Sequence, residues 1–167
     1  VLALNSGTIR DAVGNNATIT HSAVSSNTSY KVDTTPPTIS GGVAITSAAG
    51  IQNNLLNAGD EVSVTATFNE NVPVTGTPQL ALVVGSTDRT ATYTSGSGST
   101  TLVFKYTIQA VETDDDGISI EANVLALSSG TIRDLAGNNA TITHSAVSSN
   151  TSYKVDNTAP TVNSFTI

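Results

Sequence analysis

One stretch of this chain occurs twice. Residues 1–39 read VLALNSGTIRDAVGNNATITHSAVSSNTSYKVDTTPPTI, and residues 124–162 read VLALSSGTIRDLAGNNATITHSAVSSNTSYKVDNTAPTV. The copies align without a gap, so that Arg10 matches Arg133 and Asp33 matches Asp156, and only six of the 39 positions differ. A period this long, with copies this alike, belongs to a tandem array of one domain and not to a solenoid of small units. The expected organisation follows from it. Residues 1–35 are the C-terminal part of one repeat with its linker, 36–158 a complete repeat, and 159–167 the start of the next. The chain then reads as a window on a longer protein.

Composition narrows what such a repeat can do. Thr, Ser, Val, Ala, Asn and Gly dominate, and no segment keeps a helical period over three turns, so strands and turns are expected. The absence of Cys excludes a disulfide framework, a zinc-thiolate site and a Cys nucleophile. No run of 18 apolar residues occurs, so no membrane insertion is expected of this segment. Thirteen acidic residues against six basic ones leave a net charge of −7. Nucleic acid needs a basic footprint and is not an expected partner. A hard cation such as Ca²⁺, which takes carboxylate oxygens, is compatible.

Taken in order, Asp33–Pro37 (DTTPP) and Asp156–Pro160 (DNTAP) are matching joints. Proline fixes its own φ and biases the residue before it to extended geometry, so the joints are short and stiff. Thr38–Thr46 is a first strand broken by Gly41-Gly42, which suggests a bulge or a switch between sheets. Glu61–Phe68 alternates cleanly, with Val62, Val64, Ala66 and Phe68 on one side. Gln79–Val84, Arg89–Thr94 and Thr101–Gln109 follow as strands, the last with Leu102, Phe104, Tyr106 and Ile108 on one face. Short strands are expected at Ile118–Ile120 and Val124–Leu127, and closing strands at Thr141–Val147 and Thr151–Val155. Some seven to nine short strands without crossover helices read as a two-sheet antiparallel sandwich.

Strand direction sorts the carboxylates between the two ends. With the end where the chain enters called the top, Glu70 and Asp134 lie there, and Asp33 of the linker faces them. Asp114, Asp116 and the exit residue Asp156 lie at the bottom, facing the next repeat. Carboxylates converging at a joint, with Asn side chains and carbonyls nearby, match the 6–8 oxygen ligands Ca²⁺ takes. The alternative is that they are solvated turn residues, since Asp and Asn bond their local backbone in turns. The Asp114–Gly117 run is not an EF-hand, because the ligand spacing and the closing Glu are missing.

Other chemistry finds little support. His21 and its copy His144 stand alone in strand sequence, and no Ser sits in a nucleophile-elbow context. The acidic neighbours Asp114 and Asp116 lie on a loop without a cleft, so no enzyme is expected. The Asn-x-Ser/Thr triplets at Asn16, Asn27, Asn139 and Asn150 arise readily by chance in a chain this rich in Asn and Thr.

As a set, GDEVSVTATFNENVPVTGTPQLALVVG, RTATYTSGSGSTTLVFKYTIQ, DGISIEANVLALSSGTIRDLAGNN and SYKVDNTAP resemble the bacterial immunoglobulin-like tandem repeats of giant surface adhesins. The resemblance covers the whole period and the fragment before it. It implies an immunoglobulin-like antiparallel β-sandwich and an extracellular place on the bacterial cell surface. It also implies a structural extender role, with Ca²⁺ often at or near the joints and no catalysis. The expected partners are neighbouring repeats of the same chain and copies of itself in a fibre. A second class of function stays open, a binding module for a glycan or for homophilic cell–cell contact. Four Tyr and three Phe offer little platform for stacking a sugar.

Overall fold

The computed structural model describes residues 2–166, and its regular structure is all strand. The strands are β1 (Ile39–Ala49), β2 (Leu55–Leu56), β3 (Glu61–Val72), β4 (Val74–Thr75), β5 (Gln79–Val84), β6 (Thr87–Ser95), β7 (Ser99–Thr107), β8 (Leu125–Ala126), β9 (Thr131–Ile132) and β10 (Lys154–Val155). Among the described residues no helix is long and apolar enough to cross a membrane. The chain divides into two units, Val1–Val32 and Asp33–Ile167.

In the larger unit the clean alternation of β3 sets the core. Val62, Val64, Ala66 and Phe68 are buried, while Ser63, Thr65 and Thr67 on the other face are half-buried. β3 pairs antiparallel with β1 on one side and β7 on the other, within a six-stranded sheet ordered β1-β3-β7-β6-β5-β8. The inward residues of β5 (Leu80, Leu82, Val84) and of β7 (Leu102, Phe104) join those of β3 in a single buried cluster. A sheet whose strands bury one common face must curl around it, and burying each large apolar side chain stabilises by about 1.5–3 kcal/mol. The second wall of the core is built by Leu56, Ile118, Ile120, Ile132 and Val155.

Gln79–Val84 is a strand as expected, and the Gly pair does form a bulge. The β1–β3 register shifts between Ile39 and Gly42, and Gly42 adopts φ +76°. A Cβ on Gly41 would come within 2.7 Å of the Thr67 side chain, so the strands approach there only because it is absent. The back third differs from expectation. Thr141–Val147 forms no ladder but touches neighbouring backbone at its two ends, through Thr38–Thr141 and Ile120–Val147 bridges. Of Thr151–Val155 only Lys154–Val155 is strand, paired in parallel with β2. Tight turns consume the intervening residues, as where Tyr153 N donates to Asn150 O at 2.8 Å.

The smaller unit is a chain of turns. Its best-defined element is the Arg10–Asn16 loop, closed by a backbone bridge between those two residues.

Candidate metal centre

Two local motifs bring the top of the larger unit together. The first is the loop after β9. Asp134 Oδ1 accepts the Asn138 backbone N–H at 2.8 Å, and Asp134 Oδ2 accepts Asn138 Nδ2 at 2.7 Å. Asp134 N donates to Asn138 O at 3.1 Å, and Gly137 at φ +97° closes the turn. The second is the turn at the end of β3. Asn69 Oδ1 accepts Thr38 N–H at 2.8 Å, and Asn69 N donates to Thr38 O at 3.0 Å. These motifs hold the linker from two sides. Asn138 Nδ2 also donates to Asp33 O at 3.1 Å, and Thr141 N donates to Pro37 O at 2.8 Å. Asp33 itself makes a turn by accepting Thr35 N–H at 3.0 Å.

The result is a group of three carboxylates, Asp33, Glu70 and Asp134, with one oxygen of each within 4.8 Å of the others. Asp33 is exposed, Glu70 half-buried and Asp134 buried. Burial works against charge on Asp134. The hydrogen bonds from the Asn138 side chain and from backbone N–H groups outweigh it and hold the carboxyl below the usual range. No basic side chain neutralises the group: the salt bridges among the described residues are Arg89–Glu112 and Lys105–Glu61. The nearby Arg133 turns its Nε to Asn139 Oδ1 at 2.8 Å instead. The donor set is three carboxylates, hard oxygen alone, which suits Ca²⁺ and not a metal that prefers nitrogen or sulfur.

The bottom carboxylates are arranged differently. Asp114 is buried, its oxygens accept Gly85 N–H at 2.8 Å and Gly117 N–H at 2.7 Å, and its backbone bridges Val155. Burial pushes its carboxyl up from the ordinary value. Asp116 accepts the Ser149 hydroxyl at 2.9 Å, which together with Asp114 holds it low. Asp156 is exposed and accepts Thr158 N–H at 2.8 Å, the same turn that Asp33 makes. Among the described residues Asp114, Asp116 and Asp156 do not meet as a group of three.

Two polar assemblies at the bottom went unread in the sequence. Glu112 is buried and accepts Arg89 Nε, the Tyr106 hydroxyl and, at 2.8 Å, Gln109 N–H. Burial and this bond to Glu112 push the Tyr106 hydroxyl up to about 12. Asn157 then ties the exit of the chain to the same end. Its Oδ1 accepts Ala58 N–H at 2.6 Å, and its Nδ2 donates to Glu112 O at 2.7 Å and Gln109 O at 3.0 Å. Position 157 is one of the six that differ between the copies, Thr34 standing in the other, and that difference was the available signal. His144 is a buried packing residue. Its Nε2 accepts Val124 N–H at 3.1 Å, so Nδ1 carries the proton and donates to Ser145 O at 2.9 Å.

Comparison with protein-family models, with curated proteins and with solved structures finds no match to this chain.

Proposed function

We propose that this chain is a section of a structural extender: tandem immunoglobulin-like β-sandwich repeats of a large secreted bacterial surface adhesin or fibre. Such a section projects a distal binding region from the cell and supports adhesion or biofilm formation. The observation that carries the reading is the duplication, 33 identical positions of 39 at one fixed shift. A spacer tolerates repetition of one unit, whereas a specific binding site gains little from being copied along an array. The antiparallel sheet curled around one core is consistent with a sandwich. The repeat performs no catalysis in this reading.

Ca²⁺ at the joint completes the proposal. Asp33, Glu70 and Asp134 would hold the ion, which supplies positive charge among three carboxylates that otherwise repel. Because Asp33 belongs to the linker, binding would fix the angle at which the chain enters the repeat. The test is a chain of three repeats followed by small-angle scattering and thermal melting, with Ca²⁺ and with chelator. A larger maximum dimension and a higher Tm with Ca²⁺ are expected, and both should be lost in Glu70→Ala with Asp134→Ala. A chain equally long and equally stable in chelator would refute the calcium joint. A chain that folds back on itself in both conditions would refute the extender.

A further inference from the structure

Two of the six differences between the copies fall within the joints, where Asn157 and Ala159 stand in place of Thr34 and Pro36. Asn157 is the one with specific surroundings. Its carboxamide meets three backbone groups: Oδ1 accepts Ala58 N–H at 2.6 Å, and Nδ2 donates to Glu112 O at 2.7 Å and Gln109 O at 3.0 Å. One donor and two acceptors match the inventory of an amide. An Asp there would turn a carboxylate oxygen toward two carbonyls, and a Thr hydroxyl has one proton to give where two are accepted. Groups other than Asn157 hold this cradle in shape. Asp60 Oδ2 accepts Asn57 N–H at 2.9 Å, and Gly59 N–H to Ile108 O and Ile108 N–H to Asp60 O, 2.9 Å each, join that turn to the chain just after β7. On the other side the buried Glu112 takes Arg89 Nε, the Tyr106 hydroxyl and Gln109 N–H. The Arg89–Glu112–Tyr106 knot thereby fixes the loop whose two carbonyls receive the carboxamide.

We propose that the 57–60 turn and the Gln109–Glu112 loop form a receptor for the side-chain amide at position 157, and that filling it locks the joint to the repeat before it, whereas a joint with Thr at that position, as at Thr34, pivots. The inference rests on the tandem-array reading and needs no ion. Asp33 and Asp156 are one position in two copies and make the same turn, accepting the N–H of Thr35 and of Thr158. The complete repeat grips that position at each of its ends. At the entry, Asp33 gives its carbonyl to Asn138 Nδ2 at 3.1 Å; at the exit, Asp156 gives its N–H to Leu56 O at 2.9 Å. In an array, one residue is then held by a single bond from the repeat before and a single bond from the repeat after, which makes a hinge. The three bonds of Asn157, the very next residue, close that hinge on the upstream side. Pro36-Pro37 restricts the backbone of the other joint, but proline has no N–H and ties nothing to a repeat. One residue thus sets two grades of joint.

The first test uses the full chain and reads amide hydrogen exchange at Ala58, whose N–H is bonded to Asn157, against Ile120, whose N–H is bonded to Val147 O. In Asn157→Thr and in Asn157→Asp, exchange at Ala58 should speed up about tenfold more than at Ile120, because the opening is local. A general loss of stability would speed both amides alike. The second test reads the joint itself. The chain has no Cys and Thr90 is exposed, so Thr90→Cys in two consecutive repeats of a three-repeat chain carries a pair of spin labels. In chelator the distance distribution across the joint should be narrow with Asn157 and broaden in Asn157→Thr with Ala159 unchanged, and Thr34→Asn should narrow it at the other joint. Exchange at Ala58 that rises no more than at Ile120 would overturn the proposal. So would a distribution equally broad with Asn and with Thr at position 157. Repeats that fold back on one another, yet stay narrow with Asn157 and broad with Thr, would refute the extender and still support the receptor.

Discussion

Replacing Phe104 by Ala tests the curled sheet at its centre. Phe104 is fully buried on β7, facing Val64 of β3 on one side and Tyr93 of β6 on the other. The Tyr93 ring meets it edge-on at 6.0 Å between centroids and 68° between planes. Phe→Ala in a core costs about 3–5 kcal/mol by lost transfer and a residual cavity. Both flanking strands are held in their ladders, so little collapse is available, and the aromatic pair adds its own ~0.5–1.5 kcal/mol. A loss of about 4 kcal/mol is expected. With an unfolding entropy of ~2.1 cal/mol/K per residue over a repeat of about 120 residues, that lowers Tm by about 16 °C. With an m-value of ~2 kcal/mol/M it lowers the urea midpoint by about 2 M. The assay is urea unfolding followed by far-ultraviolet circular dichroism, since the chain has no Trp. Tyr93→Leu serves as the control that removes only the edge contact. A loss below about 1 kcal/mol at unchanged m would mean that Phe104 is not walled in by β3 and β6, and the sheet order would be refuted.

The other outcomes follow from particular contacts. Asn157→Thr, which makes the exit match the linker at Thr34, removes three hydrogen bonds and should destabilise by about 1–3 kcal/mol in urea unfolding. Tyr106 is pushed up to about 12, so the folded state keeps a proton that the unfolded state releases. Its contribution to stability is therefore whole below about pH 10 and lost as pH rises towards 12, and Tyr106→Phe should flatten that alkaline limb of the unfolding curve. Asp134 is held low, so its contribution is present above the ordinary carboxylate range and lost as pH falls through its folded value. Asp134→Ala should weaken the acid limb below the ordinary carboxylate range, measured by melting without divalent ions. Gly117→Ala forces a Cβ to within 2.0 Å of Asn150 O at φ +97°, and should lower Tm more than Gly14→Ala, where the space is open.

The front of the repeat was legible because its signal is a period. Val62 through Phe68 alternate with one face buried, and a period of two survives any tertiary context that buries one side. The back third was legible only as apolar positions. Ile118, Ile120, Ile132 and Val155 are in the core, but the backbone between them runs through Asn and Gly turns that leave single bridges where strands were expected. At the top of the repeat, strand direction alone placed Asp33, Glu70 and Asp134 at one end, and the structure gathers them within 4.8 Å. Direction cannot show which carboxylates come within reach of one another. Asp114 and Asp116 shared an end with Asp156, but among the described residues the three do not meet as a group. The Arg89–Glu112–Tyr106 knot joins residues on β6, β7 and the following loop, and no spacing in the sequence encodes such a meeting.

The Asp11–Asn15 turn closes with the same bonds as Asp134–Asn138 although the apolar residues around it are exposed. Its geometry is therefore written in a few consecutive residues and owes nothing to the core. During synthesis this turn can close as soon as its own residues emerge. Asp33 and Glu70 come beside Asp134 only when the linker and the end of β3 have docked. The three-carboxylate group is thus among the last features of the repeat to be assembled. A cation that needs all three would seal a finished domain and would do nothing to start its folding.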